Sequence, residues 1–83
     1  MPMITIGEDQ IKVDSVEISD DPQHGLYLME VRGAGLSAYW HDDRLSPIIH
    51  DGRRYQLIAF LRGGDAGESA QSILWRVHYT GDA

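Results

Sequence analysis

Cysteine is absent from this chain of 83 residues, and so is any long apolar stretch. Without thiols there is no disulfide, no thiolate nucleophile and no cysteine-based zinc site. No segment approaches the roughly 20 apolar residues of a membrane-spanning helix, and the N-terminal residues lack the basic start and apolar run of a secretion signal. We therefore expect a cytoplasmic protein without a membrane segment.

An excess of basic residues is missing too. Thirteen Asp and Glu residues stand against seven Lys and Arg residues, which gives a formal net charge of −6. This sign disfavours contact with phosphate backbones, so we expect no direct nucleic-acid binding. Most aromatic residues fall on predicted core positions, which favours packing over a stacking platform for bases. The negative charge suits a basic protein surface instead.

The recurrent signatures of catalytic and nucleotide-binding sites are also missing. The sequence contains no G-x-S-x-G elbow, no Walker-type loop and no G-x-G-x-x-G fingerprint. The Gly-Ala-Gly of residues 33–35 is followed by neither a third glycine nor a helix to hold a phosphate, so a hairpin or kink explains it better. We expect a non-enzymatic protein without a cofactor.

Long helical periodicity is missing, and apolar residues alternate with polar ones in short segments separated by Gly, Asp, Pro and Ser. This pattern predicts an all-β, mainly antiparallel protein of about five to seven strands, either a barrel or a sandwich, with little or no helix. The length predicts a single domain over residues 1–83. A domain this small buries a limited core, so a partner or a second copy would add stability.

The sequence of residues 3–19 predicts a hairpin near the N-terminus. Residues 3–6 and 11–19 alternate in polarity on either side of a turn at residues 7–10. Within the second strand the apolar side changes parity, which predicts a bulge or sharp bend near Asp14 and Ser15.

Four further strands are predicted over residues 26–32, 36–41, 54–62 and 73–79. Residues 54–62 are apolar on both parities, which predicts a central strand covered on both faces. Asp51-Gly52, between two short β-like runs, predicts a type I′ hairpin turn. On these four strands the principal positions predicted to face the core are Tyr27, Met29, Val31, Leu36, Ala38, Trp40, Tyr55, Leu57, Ala59, Leu61, Ile73, Trp75, Val77 and Tyr79.

Two histidines and three aspartates lie close together in the sequence at a strand end, a loop and a turn. Imidazole and carboxylate suit Zn, Mn or Fe(II), and three such ligands with an open position activate water. These candidate metal ligands are His41, Asp42, Asp43, His50 and Asp51. Their spacing matches no signature, and loop and turn composition explains them without a metal. A metal-binding protein or small metal-dependent enzyme is an alternative hypothesis.

A protein interface is the function that the composition favours. Tyr, Trp and Arg are enriched at interface cores, and an edge strand pairs readily with another chain. The candidate anchors are Tyr39, Arg53, Arg54 and Arg76. An acidic surface would also suit an inhibitor that blocks a basic, nucleic-acid-binding site, and its candidates are Glu8, Asp9, Glu17, Asp20 and Asp21.

The sequence therefore predicts a small acidic binding or adaptor domain acting on a protein partner or on itself. In a homodimer, residues 26–32 or the last strand would continue the sheet across a two-fold axis. A structural subunit of a phage or secretion assembly is a further alternative hypothesis.

Overall fold

The computed structural model describes residues 2–22, 25–42, 44–65, 67 and 70–83. These residues form one antiparallel sheet of seven strands, which confirms the all-β prediction. The strands are β1 (Met3–Ile6), β2 (Asp9–Lys12), β3 (Ser15–Asp20), β4 (Leu26–Gly33), β5 (Ile48–His50), β6 (Arg53–Asp65) and β7 (Gln71–Asp82). Their order is β2-β1-β5-β6-β7-β4-β3. Within the described ranges, no helix has the length and apolar character needed to cross a membrane.

The sheet does not close into a barrel, although its two edge strands, β2 and β3, are consecutive in the chain. They are joined by Val13 and Asp14, which we call the elbow. The N–H of Val13 donates to the carbonyl of Pro2 at 2.9 Å, and the N–H of Asp14 donates to the carbonyl of Arg32 at 2.7 Å. The elbow thus bonds to the residue before β1 and to β4, the neighbours of the two edge strands. The sheet is therefore curved, so that its two edges approach each other at the elbow. The parity change predicts an interruption at this position, but the single strand predicted over residues 11–19 is wrong, because β2 and β3 are separate strands at opposite edges of the sheet.

One contiguous hydrophobic core lies inside the curved sheet. Its buried members are Ile4, Ile6, Val13, Met29, Val31, Leu36, Ile48, Tyr55, Leu57, Ile73, Trp75 and Val77. Eight of the predicted core positions are among them. Tyr27, Trp40 and Ala59 are only half-buried, whereas Ala38, Leu61 and Tyr79 are exposed.

The strand predicted over residues 36–41 is wrong, because Leu36–Tyr39 forms a 3-10 helix. This turn follows Gly35, whose φ of 76° lies in the left-handed region that glycine enters without steric cost. The N–H of Ser37 donates to Oε1 of Gln71 at 2.8 Å. A side chain of β7 therefore takes the place of a neighbouring strand in holding this segment.

The prediction that residues 54–62 are covered on both faces is also wrong. The pairing of β6 with β7 jumps past Ile58 and past Leu61, so each is an extra residue in the ladder. Their side chains are 42% and 39% exposed. Because Ile58 and Leu61 stand outside the ladder, their side chains do not form a second buried face, and β6 has a single buried face.

The turn prediction at Asp51-Gly52 is confirmed. His50 pairs with Arg53 across a two-residue loop, and the loop residues have φ angles of 53° and 75°. Positive φ at both central positions is the requirement of a type I′ turn.

The strands proposed to extend the sheet in a homodimer are interior ones. β4 lies between β3 and β7, and β7 lies between β6 and β4 over residues 71–78. Their backbone groups are therefore used within the sheet, and that part of the prediction is wrong. The edge strands are β2 and β3.

Candidate functional site

Four strands contribute aromatic and charged side chains to a cleft of about 330 Å³ at the end of the sheet where β6 begins and β7 ends. We call it the tyrosine cleft. It is lined by Ile18, Tyr27, Arg53, Tyr55, Tyr79 and Asp82.

Strand register explains why the tyrosine rings converge. Tyr55 pairs directly with Tyr79, and Tyr27 pairs with Val77 two positions earlier on β7. Directly opposed residues share a face of the sheet, as do residues two apart on one strand. The rings of Tyr55 and Tyr79 are consequently in contact, with centroids 5.6 Å apart and planes tilted by 52°.

A bulge on β7 shapes the end of the cleft. Arg54 pairs with Gly81 whereas Tyr55 pairs with Tyr79, which leaves Thr80 as the extra residue. The hydroxyl of Thr80 donates to the carbonyl of Arg54 at 3.0 Å. Beyond this bulge the pairing resumes with Arg53 opposite Asp82, so a cation and an anion flank the tyrosines.

Hydrogen bonds connect the charged groups to the phenols. The hydroxyl of Tyr79 donates to Oδ1 of Asp82 at 3.0 Å, and this bond, followed by burial and the negative charge, raises the pKa of Tyr79. The hydroxyl of Tyr55 is the main cause that raises the pKa of Arg53. The cleft therefore offers phenol rings, one guanidinium and one carboxylate, a set suited to binding an apolar group that carries polar atoms.

Arg53 is the predicted interface residue that lies in the cleft, and the other three lie elsewhere. Arg54 follows it in β6 with its side chain exposed. The hydroxyl of Tyr39 donates to Oδ2 of Asp9 at 3.0 Å, and burial, then this bond, raises the pKa of Tyr39. Arg76 is half-buried against Asp21.

Asp21 does not belong to an exposed acidic surface. The residue is buried and Nε of Arg76 donates to its Oδ2 at 2.6 Å, so this part of the predicted surface is wrong. The remaining four acids are exposed and form two pairs, one in the β1–β2 hairpin and one on β3: Glu8 and Asp9, and Glu17 and Asp20.

The two histidines proposed as metal ligands have separate surroundings. The ring of His41 lies against that of Phe60, with centroids 4.9 Å apart. Nδ1 of His50 is 3.2 Å from the carbonyl oxygen of Met3. Ring packing in one case and a backbone contact in the other account for their positions.

The proposed acidic ligands are likewise held locally where the structure describes them. Oδ1 of Asp42 accepts a hydrogen bond from the N–H of Arg44 at 3.0 Å, and Asp51 is part of the type I′ turn. Asp43 lies outside the described residues. Among those that are described, no group of three or more histidine, aspartate or glutamate side chains is placed to hold a metal ion.

A second depression of about 570 Å³ lies along β3, β4, β6 and β7, and is lined by Glu17, Ile18, Ser19, Leu28, Glu30, Arg62 and Leu74. Its central carboxylate is already paired, because Glu30 accepts bonds from Arg32 at 3.1 Å and from Arg62 at 3.3 Å. None of the described residues that line it is aromatic. The tyrosine cleft is therefore the better candidate for a binding site.

Alternation alone assigns the cleft tyrosines to the core. Tyr55 is indeed buried, but Tyr27 is half-buried and Tyr79 is 38% exposed. The signal that could have distinguished them is the choice of tyrosine over phenylalanine at all three positions, because a phenol hydroxyl favours the border between apolar surface and water.

No family model, curated protein or solved structure matches this chain.

Proposed function

We propose that this chain is a non-enzymatic binding domain whose tyrosine cleft takes up an extended segment of a partner protein. The observation that carries the proposal is the convergence of Tyr27, Tyr55 and Tyr79, from three strands, on one cleft. Tyrosine supplies a large rigid contact area at small entropic cost and a hydroxyl that can satisfy polar atoms of a ligand. Such residues provide much of the affinity at protein interfaces.

The size and polarity of the cleft favour a segment over a folded surface. A volume of about 330 Å³ accommodates a few side chains. Arg53 and Asp82 offer a donor and an acceptor beside the rings, as the carbonyl and amide groups of an extended main chain require. The net charge of −6 supports a basic partner. Binding to a segment that otherwise contacts nucleic acid would make the chain an inhibitor of that contact.

The test is selection of peptides from a phage-displayed random library on the purified protein, followed by titration of the selected peptides. We expect Tyr79→Ala to weaken their binding by about tenfold or more, because truncating a tyrosine at an interface centre removes both area and a hydroxyl. Leu61→Ala is the matched control. Leu61 is 39% exposed and Tyr79 38%, but Leu61 lies outside the cleft.

Near-ultraviolet circular dichroism of both variants verifies that the fold is kept. Equal affinity of the selected peptides for the Tyr79→Ala variant and the native chain would contradict the proposal. So would a library that yields no binding peptide.

A further inference from the structure

We infer that the partner segment binds as an added β-strand on the open edge of β3, with Lys or Arg residues alternating with apolar ones. This inference rests on the proposed function and adds the geometry and the charge of the ligand. It is carried by the hydrogen-bonding pattern of β3, by the side chains on that strand and by its distribution of charge.

The backbone of β3 is paired on one side. β3 pairs with β4 and ends the sheet order. The N–H of Asp21 donates to the carbonyl of Leu26 at 3.1 Å, and hydrogen-bonded positions alternate along an antiparallel ladder. Counting back from Asp21, the N–H and C=O groups of Val16, Ile18 and Asp20 point away from β4. In the described part of the chain no strand pairs with this edge.

The same edge borders the tyrosine cleft. Ile18 lines the cleft, and it pairs with the buried Met29 on β4, so its side chain is on the inner face of the sheet. A strand added beside β3 places every second side chain on this face. The apolar side chain of such a strand that lies opposite Ile18 would enter the cleft next to the tyrosines.

The charge of the edge selects a basic ligand. β3 carries the exposed Glu17 and Asp20 and no lysine or arginine. Glu17 pairs with Glu30, whose charge is compensated by two arginines, whereas among the described ion pairs none involves Glu17 or Asp20. Opposite charges on facing strands stabilise a sheet. Glu17 lies on the outer face of β3, and Ile18 and Asp20 lie on the inner face. A basic residue of the ligand is therefore expected opposite Glu17 and an apolar residue opposite Ile18, while Asp20 adds to the negative charge of the edge.

A second copy of the chain fits this edge less well than a basic segment of another protein. Pairing β3 with β3 of a second copy would place two carboxylates from each copy, four in all, on two strands without a cation. Acidic residues on an edge strand oppose self-pairing of this kind. The same acids attract a lysine-rich or arginine-rich strand.

The experiment uses a capped peptide of alternating lysine and valine, with a peptide of alternating glutamate and valine as its counterpart. Backbone amide hydrogen exchange of the whole chain is followed by NMR. With the lysine peptide we expect exchange of the amides of Val16, Ile18 and Asp20 to slow by about tenfold or more, because these N–H groups acquire acceptors. The glutamate peptide is expected to leave them unchanged.

Three variants of β3 separate the contribution of the backbone from that of the charge. Ile18→Pro removes an N–H that points away from β4, which an edge strand tolerates, and is expected to abolish binding of the lysine peptide. Ile18→Ala, the matched control, keeps that N–H and is expected to retain weakened binding. The double variant Glu17→Lys with Asp20→Lys is expected to reverse the preference between the two peptides by about tenfold.

The outcomes distinguish this inference from the proposed function. Peptides that require Tyr79 but leave the three amides unprotected would overturn strand addition and leave the cleft as a binding site. Library peptides that protect these amides but carry no basic residues would overturn the charge assignment. Self-association of the native chain that protects them without peptide would replace the partner by a second copy. A lysine peptide that does not bind, together with library peptides indifferent to Tyr79→Ala, would overturn both proposals.

Discussion

Nε of Arg76 donates to Oδ2 of Asp21 at 2.6 Å, and so joins the last strand to the residue that follows β3. The side chain of Asp21 is 2% exposed and that of Arg76 is 27% exposed. A nearly buried carboxylate requires strong hydrogen bonds to offset its lost hydration. Arg76 supplies one such hydrogen bond from a charged donor, and this bond connects the end of β3 to the middle of β7.

Replacing Arg76 should therefore destabilise the fold. We expect Arg76→Ala to lower the free energy of unfolding by about 2–3 kcal/mol, below the range for a fully buried ion pair because the guanidinium is partly exposed. Urea denaturation measures this loss. In a double-mutant cycle with Asp21→Asn, a coupling energy near zero would show that the pair does not contribute as the geometry indicates.

Trp75 offers a test of a buried polar atom. Its side chain is fully buried, and Nε1 has no hydrogen-bond partner among the described residues. We expect Trp75→Phe to cost no more than about 1 kcal/mol, because loss of the unsatisfied donor offsets the lost volume, against about 3–5 kcal/mol for Trp75→Ala. Thermal and urea unfolding of the two variants measure the difference. Similar large losses for both would indicate that Nε1 is satisfied in solution.

Gly63 and Gly64 form a matched pair for a steric test. A Cβ on Gly63 would lie 2.6 Å from the ring of Trp40, whereas a Cβ on Gly64 would meet nothing within 4 Å. We expect Gly63→Ala to cost about 1–3 kcal/mol by displacing Trp40 and the bond from its Nε1 to the carbonyl of Ser72. Gly64→Ala should be close to neutral. A red shift of tryptophan fluorescence in the first variant alone is the accompanying readout.

The ionisation of Tyr79 tests the polar end of the cleft. Because its hydroxyl donates to Asp82, the pKa of Tyr79 is raised, and Asp82→Asn is expected to lower it. The folded chain holds this proton more tightly than the unfolded chain does. The associated stability is therefore complete at neutral pH and is lost as the pH rises through the pKa of folded Tyr79. An NMR titration of the Tyr79 ring checks the shift, and an unchanged pKa in the variant would contradict the assigned bond.

Local patterns in the sequence predicted most of the fold. Alternation located β1, β4 and β7, and the stretch that is apolar on both parities located β6. Residues 11–19 were predicted as one strand, which the structure divides into β2 and β3, and Ile48 and Ile49 were predicted to be part of short β-like runs around Asp51-Gly52. The turn prediction succeeded because the need for two positive φ angles is satisfied by few residue pairs. The parity change between Val13 and Val16 predicted the position of the elbow, since a regular strand cannot bury both, but not that the strands on its two sides are opposite edges of the sheet.

What the sequence did not predict depends on pairing between distant strands. The positions of Ile58 and Leu61 outside the ladder are set by the register of β6 against β7. The 3-10 helix after Gly35 is held by Gln71, which is far along the chain. The tyrosine cleft likewise exists only when β3, β4, β6 and β7 lie side by side, so no local pattern distinguishes its tyrosines from core residues.

The elbow also bears on how the chain folds. Four of the strand pairs are hairpins that close short loops: β1–β2, β3–β4, β5–β6 and β6–β7. The pairing of β1 with β5 and that of β4 with β7 must instead close long loops. Closing a long loop carries an entropy cost before its contacts form, so these pairings are the slow candidates in assembly. Because the elbow ties the first hairpin to the second, docking β4 on β7 brings β1 near β5. Formation of one long-range pairing therefore shortens the loop that the other must close, and the two pairings form cooperatively.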